Sequence, residues 1–355
     1  MLTTRNKTRK VKIGKLTIGG GSPIAVQSMT KTKTADVAAT VRQIHELEAA
    51  GCQIVRCAVP DKASALALKE IKQQINIPLV ADIHFNAEHA VIAAEAGVDK
   101  LRINPGNIGS LEKVKSVVAA AKEHGIPIRI GVNSGSLEKE ILKASGGHVT
   151  AEGLVKSALK NIEILEKLDF NDIVISIKAT SIPMTIAAYD LLARKVYHPL
   201  HIGITEAGIP GTGSIRSAVG LGAILNAGLG DTLRVSLTGD PVEEVRVGYE
   251  ILKALELTFH GITIISCPTC GRTDIDVASI AREVETRTRR IKQPLKVAIM
   301  GCEVNGPGEA ADADIGLAGG NGMGLIFREG KVVRQVEETE MVDALVDEIE
   351  SMAIK

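Results

Sequence analysis

The sequence predicts a (β/α)₈ TIM barrel followed by a small α+β domain. The first observation is a regular alternation of eight short apolar runs with helix-like amphipathic segments, which is typical of βαβ units and a parallel sheet. The second is the length of 355 residues, which accommodates a barrel of about 250 residues and a smaller unit. The third is composition: aromatic residues make up only 2% of the chain, so we expect an aliphatic core of the kind that barrels favour.

The eight predicted strands follow one another between Ile24 and Leu237. They are IAVQSM from Ile24, IVRCAV from Ile54, LVADIH from Leu79, KLRINP from Lys100, IRIGVN from Ile128, DIVISIK from Asp172, HIGITE from His201 and TLRVSL from Thr232. Amphipathic segments such as ADVAATVRQIHELEAAG and PVEEVRVGYEILKALEL predict the helices between them. An open, doubly wound sheet would produce the same alternation, because periodicity does not report whether a sheet closes.

The pattern changes after about Leu257. The strand-like run ITIISC is followed by a helix near Asp276–Arg290, a strand KVAIMG and a Gly-rich loop. The segment GLIFREGKVVRQV predicts a hairpin that turns at Glu329-Gly330, and MVDALVDEIESMA predicts a terminal helix. We therefore predict two domains, residues 1–260 and residues 261–355.

Charge and cysteine content exclude several classes of protein. The 42 basic residues balance 42 acidic residues, which argues against binding to nucleic acid or to a membrane surface through global charge. The chain contains no stretch of about 18 apolar residues, so the sequence predicts neither a signal peptide nor a membrane span. The five cysteines favour metal or redox chemistry over a disulfide framework, so we expect a cytoplasmic protein.

Polar side chains occupy the predicted strands and their carboxyl-terminal ends, where barrel enzymes carry their active sites. They are Arg56, Asp82, His84, Arg102, Asn104, Arg129, Asn133, Lys178, Glu206, Arg234 and Ser236. Several are spaced i, i+2 and so share one face of a strand. Arginine and lysine from five strands indicate a ligand of high negative charge, and a diphosphate suits them better than a monophosphate. Asp82 and Glu206 are the candidates for proton transfer, whereas His84 alone is more often a structural residue.

The predicted second domain carries Cys267 and Cys270 in a C-x-x-C motif, and Cys302 opens the loop CEVNGPGE, which contains Glu309. Three thiolates are compatible with an iron–sulfur cube that keeps one iron for an oxygen ligand. Zinc remains open, although it would need a fourth Cys or His, and a thioredoxin-like pair would need only two cysteines. For Cys52 and Cys57 we expect buried free thiols.

The motifs SCPTCGRT and MGCEVNGPGEA resemble the cluster-binding signatures of the 4-hydroxy-3-methylbut-2-enyl diphosphate synthase family in its two-domain bacterial form. The stretches VQSMTKT, LRINPGNIG, RIGVNSGSL, ISIKAT, GITEAG and TLRVSLTGDP are also similar to that family, although Asp231 stands where the family has Gly. The resemblance covers nearly the whole chain. It implies reductive opening of 2-C-methyl-D-erythritol 2,4-cyclodiphosphate to the linear diphosphate in the non-mevalonate isoprenoid pathway.

The resemblance also implies roles for individual residues. Cys267, Cys270, Cys302 and Glu309 would bind one 4Fe–4S cluster per subunit, with Asn305 beside it and Glu206 as the acid near the reacting carbon. The diphosphate would be held by Arg56, Arg102, Arg129, Asn133, Lys178, Arg234 and Ser236, with Asp82 and His84 in the same site. Flavodoxin or ferredoxin would deliver electrons to a head-to-tail homodimer.

Two other functions are also compatible with these residues. A phosphosugar lyase or isomerase with a zinc-stabilised appendage explains the cations, but it gives Cys302 and Glu309 no role. An electron carrier or metal-binding module explains the cysteines, but it gives the strand-end cations no role. Iron and acid-labile sulfide contents separate the three readings.

Overall fold

The computed structural model of the chain describes residues 4–302, 312–320 and 322–353. It contains two compact units, Met1–Thr258 and Phe259–Lys355. None of the helices in these described ranges combines the length and apolar character needed to cross a bilayer.

The first unit alternates strands with helices along its length. Its strands are β1 (Val11–Ile13), β2 (Leu16–Ile18), β3 (Ala25–Met29), β4 (Ile54–Ala58), β5 (Leu79–Asp82), β6 (Lys100–Ile103), β7 (Ile128–Asn133), β8 (Ile173–Lys178), β9 (His201–Ile202) and β10 (Thr232–Leu233). Its helices are α1 (Val37–Ala49), α2 (Lys62–Gln73), α3 (Ala87–Glu95), α4 (Pro105–Ile108), α5 (Leu111–Glu123), α6 (Lys139–Ala144), α7 (Ala151–Glu166), α8 (Ile182–Ala193), α9 (Thr212–Asn226) and α10 (Pro241–Ala254). Two 3₁₀ turns lie at Arg5–Lys7 and Ser134–Ser136.

The sheet of the first unit closes into a barrel. Its strands are all parallel and follow the order β8-β7-β6-β5-β4-β3-β10-β9. A parallel bridge between Ile175 and Leu200 joins β8 to the residue before β9, and Ile175 N–H donates to the Pro199 carbonyl at 2.9 Å. The two edges therefore meet, which confirms the predicted (β/α)₈ barrel and excludes the open sheet.

The aliphatic core lies between the strands and the surrounding helices. It is built from outward-facing strand residues such as Val55, Leu101 and Ile130 together with apolar helix residues such as Leu68 and Leu252. The expectation of an aliphatic core is correct for this layer, but it is wrong for the lumen. Inward-facing positions above the lowest layer carry polar and charged side chains, as the site below shows.

The β1–β2 hairpin, which the sequence analysis did not predict, packs against the bottom of the barrel. Its Val11, Ile13 and Ile18 are buried against the lowest inward-facing residues of four strands, and they form one apolar cluster with them. Those strand residues are Ala25, Ile54, Val80 and Val174. We call this cluster the floor of the lumen.

Asp231, the residue that departs from the family pattern, ties the N-terminal segment to the barrel. Its carboxylate accepts a hydrogen bond from the Thr8 hydroxyl and another from Leu200 N–H, each at 2.8 Å. Burial raises the pKa of Asp231 to about 6 although both hydrogen bonds act in the opposite direction.

Several helices begin at a capping side chain that follows a strand end. Asp61 accepts a hydrogen bond from Ser64 N–H at the start of α2, and Ser181 accepts one from Met184 N–H at the start of α8. Asp240 accepts from Val242 N–H at the start of α10. These caps satisfy amide groups of the first helical turn, and they fix the loops that surround the open end of the lumen.

The second unit is a single sheet in the order β11-β12-β13-β14-β15. Its elements are β11 (Ile262–Ser266), α11 (Val277–Thr288), β12 (Leu295–Met300), β13 (Ile315–Gly320), β14 (Met323–Arg328), β15 (Lys331–Glu337), a 3₁₀ turn at Glu338–Glu340 and α12 (Met341–Ala353). Strands β11, β12 and β13 are parallel, and β13, β14 and β15 are antiparallel. Both helices pack their apolar side chains into the core of this unit.

The predicted strands, hairpin and helices of the second unit are present, including the turn at Glu329 and Gly330, whereas most of the predicted Gly-rich loop lies outside the described residues. Both turn residues have positive φ angles, 46° and 74°, as a two-residue hairpin turn requires. Strand β13 was missed, because its sequence IGLAGG is half glycine, and glycine normally weakens a strand. Position 316 requires glycine, because a Cβ there would lie only 2.2 Å from the Phe327 ring.

Candidate active site

The predicted site residues converge in the upper lumen of the barrel, on inward-facing strand positions. Because side chains alternate across a strand, residues two apart point to the same side. The lumen-facing cations are Arg56 on β4, Lys100 and Arg102 on β6, Arg129 on β7, Lys178 on β8 and Arg234 after β10. Five of these six are buried, and Arg234 is half-buried.

Asp82 links two of these cations at the end of β5. Its Oδ1 accepts a hydrogen bond from Arg102 Nη1 at 3.0 Å, and its Oδ2 lies 3.6 Å from Arg56 Nε. Burial raises the pKa of Asp82, but the charges of Arg56 and Arg102 outweigh it, so the pKa lies well below its usual range. Asp82 therefore stays ionised and orients both guanidinium groups, which speaks against a role in proton transfer.

Glu244 of α10 is the second buried carboxylate of this region, and the sequence analysis missed it. Arg234 donates to it through Nε and Nη2, both at 3.2 Å, and Lys31 Nζ lies 3.4 Å away. Leu237 N–H and the Ser28 hydroxyl also donate to this carboxylate. No sequence signal marked it, because a glutamate in the first turn of a helix normally faces solvent.

Two glycines make room for the long cationic side chains. A Cβ on Gly131 of β7 would lie 2.5 Å from Arg102 Nε, and a Cβ on Gly203 after β9 would lie 2.8 Å from Lys178 Nζ. Any larger residue at these inward-facing positions would displace the cation beside it. The glycines are therefore part of the site.

The lumen as a whole holds more positive than negative charge. Burial lowers the pKa of Lys178, and the charges of Arg234, Arg56 and Arg129 lower it further. Burial also lowers the pKa of Arg129, with Arg56 and Arg102 acting in the same direction. In the described part of the barrel only Asp82 and Glu244 offset the six cations as buried carboxylates of the lumen, so a bound polyanion would relieve this repulsion.

The remaining predicted residues of the barrel lie at the rim. Glu206 is exposed, has a φ of 53°, and its Oε2 accepts a hydrogen bond from the Thr180 hydroxyl at 3.4 Å. His84 Nε2 lies 3.9 Å from Asp82 Oδ2, and its side chain is largely exposed. Asn133 and Ser236 are half-buried, and Asn133 can accept a hydrogen bond from Arg102 Nη2 at 3.2 Å. The rim therefore contains the exposed carboxylate, and the cations lie below it.

The sequence analysis also missed three lumen residues beneath the predicted cations. Gln27, Lys100 and His201 are almost fully buried on β3, β6 and β9. Lys100 lies two residues before Arg102, so the i, i+2 rule that selected the other pairs would have selected it too.

The predicted cysteine ligands lie at the carboxyl-terminal edge of the second sheet. Cys267 follows β11 and Cys302 follows β12, and these strands are parallel neighbours, so both thiols reach the same edge. Cys267 N–H donates to the Ile299 carbonyl at 3.1 Å, which fixes the turn against β12. Cys270 is exposed, and its N–H donates to the Thr273 hydroxyl at 2.9 Å.

The donor set of this edge fits an iron–sulfur cluster. The three cysteines form no disulfide, and hydrogen bonds from the backbone and side chain of Arg272 lower the pKa of the Cys270 thiol. Gly301 allows close packing next to these thiols, because a Cβ there would lie 2.6 Å from Thr273 Cγ2 and 2.7 Å from Val277 Cγ2. Soft thiolates are the ligands that such clusters use. Within the described residues the side chains do not form a closed group of three metal ligands, and Asn305 and Glu309 lie outside those residues.

Cys52 and Cys57 are buried free thiols, as expected. Burial raises the pKa of Cys52 to about 12 and that of Cys57 to about 11. They pack in the apolar layer between strands and helices.

Curated relatives resemble this chain over its full length. A protein of Caldanaerobacter subterraneus subsp. tengcongensis, named 4-hydroxy-3-methylbut-2-en-1-yl diphosphate synthase (flavodoxin), is 60% identical over 352 residues, which is 99% of both chains. The protein of the same name from Geobacillus thermodenitrificans is 60% identical over 349 residues, 98% of this chain and 93% of the relative. That of Ruminiclostridium cellulolyticum is 57% identical over 348 residues, 98% of both chains.

Among solved structures, dihydropteroate synthase of Yersinia pestis is similar with a TM-score of 0.50 at 12% identity, covering 70% of this chain and 98% of the other. At that identity the likeness shows the barrel fold alone. Residues 8–249 match the family described as GcpE TIM-barrel domain, and residues 263–351 match the family described as GcpE protein C-terminal domain. On these matches, the chain belongs to the GcpE family.

Proposed function

We propose that the chain is an oxidoreductase that converts 2-C-methyl-D-erythritol 2,4-cyclodiphosphate to 4-hydroxy-3-methylbut-2-enyl diphosphate in the non-mevalonate isoprenoid pathway. The relatives that cover the whole chain carry the name of this synthase. The reaction takes up two electrons and two protons. It breaks the ring C–O bond, removes a hydroxyl group as water, and leaves the diphosphate on the linear product.

The observation that carries the proposal is the excess of buried cations in the lumen. Four Arg and two Lys face two buried carboxylates, and a diphosphate would supply part of the negative charge that the lumen lacks. Planar guanidinium groups match phosphate oxygens in pairs. Binding energy from this remote part of the substrate would hold the reacting carbons at the rim.

We assign the diphosphate contacts to Arg56, Arg102, Arg129, Asn133, Lys178, Arg234 and Ser236. In this arrangement Asp82 and Glu244 serve as positioning residues, because each already accepts from the cations that would bind phosphate. His84 is assigned to the rim, beside Asp82.

Glu206 is assigned to proton transfer at the reacting end of the substrate. Its carboxylate is exposed at the rim and its Thr180 partner holds only one oxygen, so the other oxygen is available to a substrate hydroxyl. A general acid or base in this position contributes roughly 10²-fold or more to turnover.

We assign to the second unit the binding of one 4Fe–4S cluster per subunit. Cys267, Cys270 and Cys302 would hold it, with Glu309 as a fourth, displaceable ligand and Asn305 nearby. When bound, such a cluster supplies low-potential electrons and a Lewis-acidic iron. The chain contributes the thiolate edge, the hydrogen bonds of Arg272 at Cys270, and the close packing of Gly301 against Thr273 and Val277.

We further propose residues 1–260 as the substrate domain and residues 261–355 as the cluster domain. Flavodoxin is the proposed electron donor, because the relatives' names include it, and ferredoxin is the alternative. A head-to-tail homodimer would bring the cluster domain of one subunit to the barrel of the other. Thiolate ligands persist in a reducing compartment, so the cytoplasm is the proposed location.

Anaerobic turnover of the cyclic diphosphate with a chemical reductant tests the proposal directly. We expect formation of the linear diphosphate by protein that contains about four iron and four sulfide per chain. One zinc without sulfide, together with no turnover, would favour the phosphosugar enzyme with a zinc appendage. A full complement of iron and sulfide without binding of the cyclic diphosphate would instead favour an electron carrier.

A further inference from the structure

Below the predicted diphosphate contacts, the lumen contains a second layer of polar side chains. Gln27, Lys100, Arg129 and His201 come from four different strands, and each is at most 1% exposed. We call these four residues the deep ring. Only Arg129 also belongs to the predicted substrate site.

The strand register places the deep ring next to the floor of the lumen. Gln27 lies two residues after the floor residue Ala25, and Lys100 pairs with the floor residue Val80. His201 pairs with Thr232, whose other neighbour in register is again Ala25. Arg129 pairs with the floor residue Val174 on one side and with Arg102 of the upper lumen on the other, so it connects the deep ring with the upper lumen.

The charges of the deep ring act on one another. Burial lowers the pKa of Lys100, and the charges of Arg129 and Arg56 lower it further. Burial also lowers the pKa of His201, with Arg129, Lys178 and Lys100 acting in the same direction. Lys100, Arg129 and His201 therefore lie close to one another inside the barrel.

The polar atoms of the deep ring lack hydrogen-bond partners within the described part of the chain. They are Lys100 Nζ, Arg129 Nε and Nη1, His201 Nε2, and both amide atoms of Gln27. The other ring nitrogen of His201, Nδ1, lies 2.8 Å from the Thr232 hydroxyl. If that hydroxyl donates to Nδ1, then Nε2 carries the proton, and five nitrogen donors face a single acceptor, Gln27 Oε1.

A donor-rich, positively charged enclosure favours an anion over water. A buried water molecule needs acceptors as well as donors, and this ring supplies one acceptor. Arg129 remains charged in a protein, and a buried charge without a counter-charge is costly. The nearest buried carboxylate, Asp82, is already engaged by Arg56 and Arg102 one layer higher.

We propose that Gln27, Lys100, Arg129 and His201 form an internal site for one small inorganic anion of the halide class. The anion is a resident counter-ion of the lumen, separate from the diphosphate above it. It stabilises the folded barrel whether or not organic substrate is bound. The site depends neither on the identity of that substrate nor on the second unit.

Thermal unfolding of the full chain tests this site without any assumption about catalysis. Melting temperatures are measured by circular dichroism in sodium chloride and in sodium gluconate at equal ionic strength. For wild-type protein we expect chloride to raise the melting temperature above that in gluconate by about 3 °C or more, since an anion that binds only the folded state stabilises it. Lys100→Met should abolish the difference, and the exposed-lysine control Lys62→Met should retain it.

A second measurement needs no variant. Crystals of the wild-type protein grown with bromide should show one anomalous peak in contact with Lys100 Nζ and Arg129, and the peak should persist when inorganic diphosphate is added. Equal melting temperatures in chloride and gluconate would overturn the proposal, as would an unchanged chloride response in Lys100→Met. Water alone at the deep ring, or loss of bromide when diphosphate binds, would also overturn it.

Discussion

The barrel lumen and the cysteine edge of the second sheet both lie at carboxyl-terminal ends of parallel strands, yet they are built in opposite ways. In the lumen, buried cations are held by Asp82 and Glu244, and glycines clear the space around them. At the cysteine edge, Cys270 is exposed and the other two thiols are half-buried. The contacts of Asp82 and Glu244 already hold the cations of the upper lumen in place, whereas within the described residues the thiols do not form a closed group of metal ligands. Binding and electron transfer should therefore be separable by mutation.

The largest expected effect comes from the cysteine edge. Cys270→Ser removes a soft ligand, so iron and sulfide contents and visible absorption should fall to background, and turnover should fall by at least about 10³-fold. Binding of the cyclic diphosphate, measured by calorimetry, should stay within about twofold of wild type.

Cys52→Ala is the matched control, because Cys52 is a buried thiol of the barrel. It should retain the absorption in full. Retained iron in Cys270→Ser would remove that residue from the ligand set.

A variant in the lumen should have the converse effect and weaken substrate binding. Lys178→Met keeps the length of the side chain but removes a charge that would contact phosphate, so the Kd for the cyclic diphosphate should rise by roughly 10²-fold. Iron and sulfide contents should not change. The melting temperature without substrate should be equal or higher, since Lys178 is surrounded by like charges.

Lys62→Met again provides a surface control for the lost charge. An unchanged Kd in Lys178→Met would show that this lysine does not contact the diphosphate.

Glu206→Gln should affect neither binding nor the cluster. If the carboxylate transfers a proton, kcat should drop roughly 10²-fold while KM and iron content stay near those of wild type. Thr180→Val, which removes only the hydrogen bond to Glu206, should cause a smaller loss of kcat. A normal kcat in Glu206→Gln would reduce Glu206 to a positioning residue.

The smallest effect is the pH dependence of unfolding, which should originate in two carboxylates of the first unit, Asp82 in the lumen and Asp231 at the N-terminal segment. The folded-state pKa of Asp82 lies below that of the unfolded chain, so its contribution is complete above about pH 4 and is lost as the pH falls, by roughly 1–2 kcal/mol down to pH 3. The contribution of Asp231 to stability changes with pH in the opposite direction. Its pKa of about 6 means that stability is lost as the pH rises from about 4 to 6.

Urea unfolding of Asp82→Asn and Asp231→Asn between pH 3 and pH 7 separates the two contributions. Asp82→Asn should flatten the loss of stability at acid pH, and Asp231→Asn should flatten the loss between pH 4 and pH 6. If both variants follow the wild-type profile, the pH dependence arises elsewhere.

Much of the barrel and its cations followed from local patterns in the sequence. Alternation predicts that Asp82 shares a strand face with His84, and Arg102 with Asn104, because the side-chain period of a strand is fixed. Glu244 could not be found in this way. Its burial depends on how α10 packs over the barrel, and a lone glutamate in a helix carries no sign of that.

The missed strands have physical causes too. The β1–β2 hairpin consists of two three-residue strands, which are too short to show periodicity, and glycine hides β13. The deep ring has a different cause: Lys100 begins its strand, whereas the predicted site residues lie further along their strands or at the carboxyl-terminal ends.

The apolar floor closes one end of the barrel lumen. With Ile13 and Ile18 sealing one end, a ligand can enter and leave only at the rim, where Glu206 lies. The product must therefore be released before the next substrate molecule can bind. Simple diphosphates that occupy the upper lumen should accordingly behave as competitors of the organic substrate, even when they lack the carbon skeleton on which the reaction takes place.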